Sequence, residues 1–214
     1  MDTATLQKQY DSGQRDFSQI NLVGANLTGA NLAGANLSGA NLMAANLSNA
    51  NLMGTDLSKA NLIVTKLVGA NLTGANLVGA NLDGANVSQA NLTRSHCSEA
   101  NWTGANLCMA NLTEANFQKT TLKGAVLLIG ADLIRVDFSG ANLSGAVLSG
   151  ANLTAANLVG ANLSEANLSG ANLRRANFDG ANLREANLLE ADLTETNLET
   201  ANVFGVKRSE SSIT

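Results

Sequence analysis

The sequence predicts an all-β solenoid of short parallel strands, and three observations carry that reading. The first is a five-residue phrase, Ala-Asn-Leu-x-Gly, that runs from Arg15 to about Gly205. With its Leu taken as position i, centres fall at Phe17, Leu22, Leu27 and every fifth residue to Leu127, then resume at Leu133 and run to Val203. Of these 38 repeats, 30 carry Leu at i, 30 carry Ala at i−2, and 33 carry Asn or Asp at i−1. The second observation is that this period suits neither regular element by itself. Five residues on an α-helix advance about 500°, so Leu would circle the axis. On a straight strand, odd spacing would throw successive Leu to opposite faces. A chain that bends once per repeat removes the conflict, because i−2 and i then share the inner face. The third observation is the punctuation. Eighteen of the 20 glycines sit at i+2, beside the corner, where positive φ is often required. The absence of proline suits a backbone whose N–H groups pair between coils.

Taken in order, residues 1–14 form an N-terminal helical cap. Thr3 to Tyr10, opened by Asp2 or Thr3 and stopped near Gly13, would lay Leu6 and Tyr10 as one apolar stripe over the first coil. Residues 15–205 are the repeat body, in which small Ala lets the walls approach and Leu fills the lumen. Asn at i−1 is expected to tolerate unusual dihedrals and to bond locally or to its neighbour in the next coil. One extra residue breaks the register in Leu128-Ile129-Gly130, and a corner bulge near 128–130, relaxed by Gly130, accounts for it. Residues 206–214 read as a flexible, polar tail. Phe204 and Val206 are the candidates to cover the last coil, and so thin a cover invites end-to-end pairing.

These residues resemble the pentapeptide-repeat protein family, whose pattern is a small residue at i−2, Asn or Asp at i−1 and Leu or Phe at i. The opening Tyr10, Gly13 and Arg15-Asp16-Phe17 is similar to cyanobacterial members. The resemblance implies a right-handed quadrilateral parallel β-helix and a cytoplasmic bacterial protein of the cyanobacterial type. Four sides also agree with the lumenal Phe residues. Phe17, Phe117, Phe138 and Phe178 fall on repeats whose numbers, counted from zero, are all multiples of four, so a square coil puts them on one wall. Thirty-eight repeats then make about nine and a half coils and, at about 4.8 Å per coil, a rod about 45 Å long.

Composition narrows the functional classes. A net charge of −4 argues against a nucleic-acid-binding surface. Asn recurs too often for any run of 18 apolar residues, which argues against a membrane span. Met1 to Lys8 lacks a basic segment followed by an apolar core, so no secretory signal is read. His96 and Cys97 stand at i−1 and i, while Cys108 stands at i+1 two walls away. They cannot converge as metal ligands, as a thiol-catalytic pair or as a disulfide. Trp102 at i fills space. Glu185, Glu190, Glu195 and Glu199 lack the cleft that a paired-acid site needs, and solvate an end where seven acids meet three bases over 160–203. No catalytic residue, cofactor or metal is therefore expected.

Outward positions i+1 and i+2 remain. Val23, Met43 and Ile63, with Val64, form one apolar column, and Val68 lies on the adjoining wall. A second group is Cys108, Met109, Leu128 and Ile129, near Val126 and Val147 in place of the usual Asn. Exposed apolar clusters mark contacts, so the sequence predicts a structural rod that binds an unidentified protein or self-associates through a side patch or the C-terminal end. Thr73, Thr93, Thr113, Thr154 and Thr194 make a threonine file, broken by Ile134 and Arg174, that is a weak ice-binding candidate. The alternative function comes from the resemblance: a DNA mimic that protects a type II topoisomerase (gyrase). A mimic about 45 Å long needs about 26 uncompensated negative charges at one per 1.7 Å. This chain has 17 acids against 13 bases.

Overall fold

The computed structural model describes residues 3–124 and 128–209. Helix α1, Thr3–Asp11, precedes a four-sided β-helix. The winding is fixed by bridges between residues twenty apart, such as Asn21 with Asn41 and Asn41 with Asn61, all parallel. Twenty residues are four repeats, so each repeat is one wall of a square coil. The walls are named here first to fourth, from the repeats of Phe17, Leu22, Leu27 and Leu32.

Below the last coil, the described repeats share one hydrogen-bond pattern. Leu22 N–H donates to the Asn41 carbonyl (2.8 Å), Gly24 N–H to that of Met43 (2.9 Å), and Asn41 N–H returns to that of Ile20 (2.8 Å). The corner closes when Ala25 N–H donates to the Leu22 carbonyl (3.0 Å), a four-residue turn whose third residue, Gly24, has φ 65°. Positive φ at that place is the type II turn signature. A wall meets the next coil through so short a segment that only two formal strands arise among the described residues. They are β1 (Asn187–Leu188) and β2 (Lys207–Arg208), paired in parallel.

The lumen is filled. Leu32, Leu37, Leu42 and most i residues beyond are fully buried, as are the described Ala residues at i−2 from Ala35 to Ala186. Where Thr replaces Ala, its hydroxyl finds a carbonyl: Thr55 donates to Leu32 (2.8 Å) and Thr65 to Leu42 (2.9 Å) in the coil below. Phe117 and Phe138 stack one coil apart on the first wall, with ring centroids 5.5 Å apart, as a square coil requires.

Four expectations change. The register slip does not fall on Leu128-Ile129-Gly130. Leu128 is buried at an i position, its N–H bonds to Val147 (2.8 Å) at the ordinary spacing of nineteen, and Gly130 is an ordinary i+2 residue at φ 61°. Leu122 N–H instead reaches Asn142 (2.7 Å), one residue too far, so the extra residue lies between Gly124 and Leu128. Leu127 and Val126 lie outside the described residues. Asn at i−1 does not use unusual dihedrals: the positive φ angles sit at i+2, and Asn49, the one Asn among them, is itself at i+2. Phe204 does not cover the last coil. It stands outward at i+1, 70% exposed, while Val206 does pack against the lumen. The tail expected at 206–214 does not begin at 206, because Lys207–Arg208 is β2 and continues the coil; residues 210–214 lie outside the described residues.

At the other end α1 seals the first coil. Leu6 and Tyr10 are buried, and the Tyr10 hydroxyl donates to the Ala33 carbonyl (2.8 Å). The Arg15 guanidinium lies 3.9 Å from the centre of the Tyr10 ring and donates to the Tyr10 carbonyl (2.7 Å), fixing the turn between cap and coil.

Candidate interaction surfaces

The lumen leaves chemistry only to the skin. Among the described residues no group of three His, Cys, Asp or Glu is placed to hold a metal ion. Cys97 is wholly buried beside the Ser95 hydroxyl, and burial pushes its thiol up to about 12. Cys108 is half-buried and, like Cys97, a free thiol. Trp102 is fully buried, 5.1 Å from Phe117 between ring centroids, with its indole N–H unpartnered.

Asn at i−1 ties each wall together. Its Oδ1 accepts from the backbone N–H two residues on, as from Val23 to Asn21 (3.2 Å), while its Nδ2 donates to the same position one coil below, as from Asn61 to Asn41 (3.1 Å). The same oxygen captures hydroxyls at i+1. Thr73, Thr93 and Thr154 donate to Asn71, Asn91 and Asn152 at 2.6–2.7 Å, and Thr194 donates to Asp192. Four of the five threonines of the file on the fourth wall thus spend their hydroxyl protons internally, which weakens it as a template for ordered water.

Beside that file runs a charge ladder at i+2. Glu114 sits between Arg94 (2.7 Å) and Arg135 (3.4 Å), and Glu195 pairs with Arg175 (2.7 Å). Hydrogen bonds and charge from these arginines hold both carboxyls below the usual range. The arginines and Glu195 are exposed and Glu114 is half-buried, so the ladder contributes little to stability but cancels field.

The sequence-predicted apolar residues separate into two surfaces and one correction. On the second wall Val23 (44%), Met43 (37%) and Val64 (52%) are exposed, with Ile63 half-buried between them, while Val68 is half-buried on the third. On the third wall Met109 (67%) and Ile129 (43%) occupy neighbouring coils, joined by Met109 N–H to the Ile129 carbonyl (3.1 Å), beside half-buried Cys108 and Val147. Leu128 does not belong to that surface, because the shifted register turns it into the lumen. Met53, Val159 and Leu189 are also exposed and were passed over. Each is an apolar residue at i+1, so the repeat rule itself supplied the signal.

A closed, filled square coil with its variation confined to outward columns defines a repeat-solenoid protein. The chain belongs to the pentapeptide-repeat family: the sequence profile of Pentapeptide repeats matches residues 20–58, 55–94, 90–127, 131–170 and 161–199. Among solved structures it is similar to HetL, a pentapeptide repeat protein involved in heterocyst differentiation regulation from the cyanobacterium Nostoc sp. strain PCC 7120. That likeness is 37% identity over 100% of both chains, with a TM-score of 0.53. It is also similar to a trypsin-treated form of QnrB1, a plasmid-mediated fluoroquinolone resistance protein, at 21% identity over 89% of this chain and 90% of that one (TM-score 0.57). The second likeness concerns the fold alone. Rfr23, a pentapeptide repeat protein from the cyanobacterium Cyanothece 51142, is 36% identical over 49% of this chain and 60% of its own (TM-score 0.33). Comparison with curated proteins finds no match. No helix among the described residues is long and apolar enough to cross a membrane.

Proposed function

We propose that this protein is a non-catalytic rod that presents protein-binding surfaces at its outward i+1 and i+2 positions in the cytoplasm of a cyanobacterial cell. The observation that carries the reading is the pairing of a filled lumen with exposed apolar columns on the second and third walls. A filled lumen offers rigidity and no chamber for a substrate; exposed apolar columns offer contact area. Likeness to HetL along the whole chain favours a regulatory role exerted through contact.

Gyrase protection by DNA mimicry is the reading to be separated from it. Alternation of Arg94, Glu114 and Arg135 on one edge breaks up the continuous negative stripe that a duplex mimic needs. In a gyrase supercoiling assay the protein should neither inhibit the enzyme nor relieve a fluoroquinolone. Affinity capture from the source organism should yield a partner that is lost with Ile63→Lys or Met109→Lys. Gyrase protection in the first assay, or capture indifferent to both substitutions, would remove the display reading.

A further inference from the structure

We infer that the second wall of the first three coils is a docking strip for an amphipathic α-helix of a partner protein, one whose apolar stripe is flanked by carboxylates. The inference rests on the display reading above and names the chemistry of what the rod would hold. Val23, Met43 and Ile63 stack at i+1 in successive coils, and Val64 carries the strip to the corner.

Val64 is the informative residue. It is the one β-branched side chain among the described residues held at positive φ, 49°, and it stays 52% exposed. Gly24, Gly84 and Gly104 occupy the same corner column at φ 63–65° without that cost. The chain covers only about half of Val64, against Gly84 of the next coil, so strain that burial within the chain offsets only in part points to a contact outside it.

Spacing selects a helix over a strand. Coils stack about 4.8 Å apart, and a helix rises about 5.4 Å per turn. Apolar residues on successive turns of a helix laid along the rod would therefore meet Val23, Met43 and Ile63 with a mismatch of about 0.6 Å per step, small over three coils. A strand cannot add here, because the wall's own N–H groups are engaged: Leu22 with Asn41, Gly24 with Met43, and Leu42 with Asn61.

Charge fixes the flanks. Lys59 lies at the corner before Ile63, and Lys66 opens the wall after Val64. Both are exposed, and neither forms an ion pair among the described residues. They would receive acidic side chains on either side of the partner's stripe. Asp83 stacks above Ile63 in the next coil and ends the strip, and a carboxylate there favours the positive N-terminal end of the bound helix.

The probe is a pair of synthetic helical peptides of about 18 residues, with Leu at i, i+4 and i+7 and either Glu or Lys on both flanks. Fluorescence anisotropy against the full chain should show the Glu peptide binding and the Lys peptide failing, with the preference reversed by the double variant Lys59→Glu, Lys66→Glu. Ile63→Lys should weaken binding about tenfold or more. Val64→Gly should raise Tm while weakening binding, a pairing of effects that a merely structural role would not produce. Equal affinity for both peptides, or binding indifferent to Ile63→Lys, overturns the proposal. So does a sedimentation shift from dimer to monomer with Ile63→Lys, which would give the strip to a second copy. If a captured cellular partner still binds Ile63→Lys but is lost with Met109→Lys, the display reading stands and this strip does not. Capture indifferent to both substitutions removes both.

Discussion

Val64 and Cys97 show how one side chain can depart from the repeat in opposite directions. Val64 keeps the backbone of the corner glycine but adds a branched side chain in the left-handed region, where an L-residue costs about 1–2 kcal/mol. Val64→Gly should therefore stabilise the fold by about that amount in urea unfolding, less the entropy glycine adds to the unfolded chain. Cys97 instead keeps the lumen apolar in place of Leu. Its thiol, moved from an ordinary 9.0 up to about 12 by burial, stays protonated in the fold. A folded-state value above the unfolded one means the contribution is complete below about pH 9 and is lost as pH rises towards 12. Stability should thus fall more steeply over that window in the wild type than in Cys97→Val. Alkylation of the native protein should label Cys108 alone, and both thiols should react only after unfolding. Rapid labelling of two thiols in the native state would show that the lumen is open.

At the scale of an element, α1 and the single repeat were both legible, for different reasons. The cap was readable because Leu6 and Tyr10 stand four apart in a segment that lacks the repeat, and the structure buries both. Leu6→Ala should cost about 2–5 kcal/mol, since it opens a cavity between the helix and the first coil. It should also raise amide exchange in the Phe17 to Leu37 coil before any other, and uniform loss of protection along the rod would contradict the capping role. Within the repeat, inward and outward positions followed from period alone. The place of the extra residue did not, because Leu127 and Leu128 are adjacent and chemically equal as lumen residues. Gly130 held the answer: glycine belongs at i+2, which makes Leu128 the centre. The hydroxyl bonds of the threonine file were also beyond reach, since they depend on the Asn71-type carboxamide oxygens facing i+1. Which outward residue matters is the least legible feature. No energetic rule of the coil constrains i+1, so only a departure such as the Val64 φ distinguishes contact from drift.

For the whole molecule, a solenoid's stability is close to a sum over coils and their interfaces, so a local error is absorbed locally. The extra residue between Gly124 and Leu128 tests this directly. Leu122 before it and Leu128 after it are both fully buried, so the lumen is continuous across the winding that carries 21 residues instead of 20, as the bridge from Asn111 to Asp132 shows. Deleting one of the three residues between Gly124 and Leu128 would restore the regular winding and leave every described Leu at an i position facing inward. The variant should keep the same far-ultraviolet circular dichroism and a cooperative melt, with Tm unchanged or higher. Inserting one residue between Ala60 and Leu62 should do the reverse, because it separates i−2 from i inside a single wall and turns one of them outward. That insertion should cost about 2–5 kcal/mol, the range for removing one lumen side chain, without unfolding distant coils. The contrast decides whether corners, rather than walls, are where this coil tolerates changes of length. If the corner deletion destabilises as much as the wall insertion, the extra residue is a fitted part of the rod, matched to the bulk of Trp102, Phe117 and Phe138 in the coils around it.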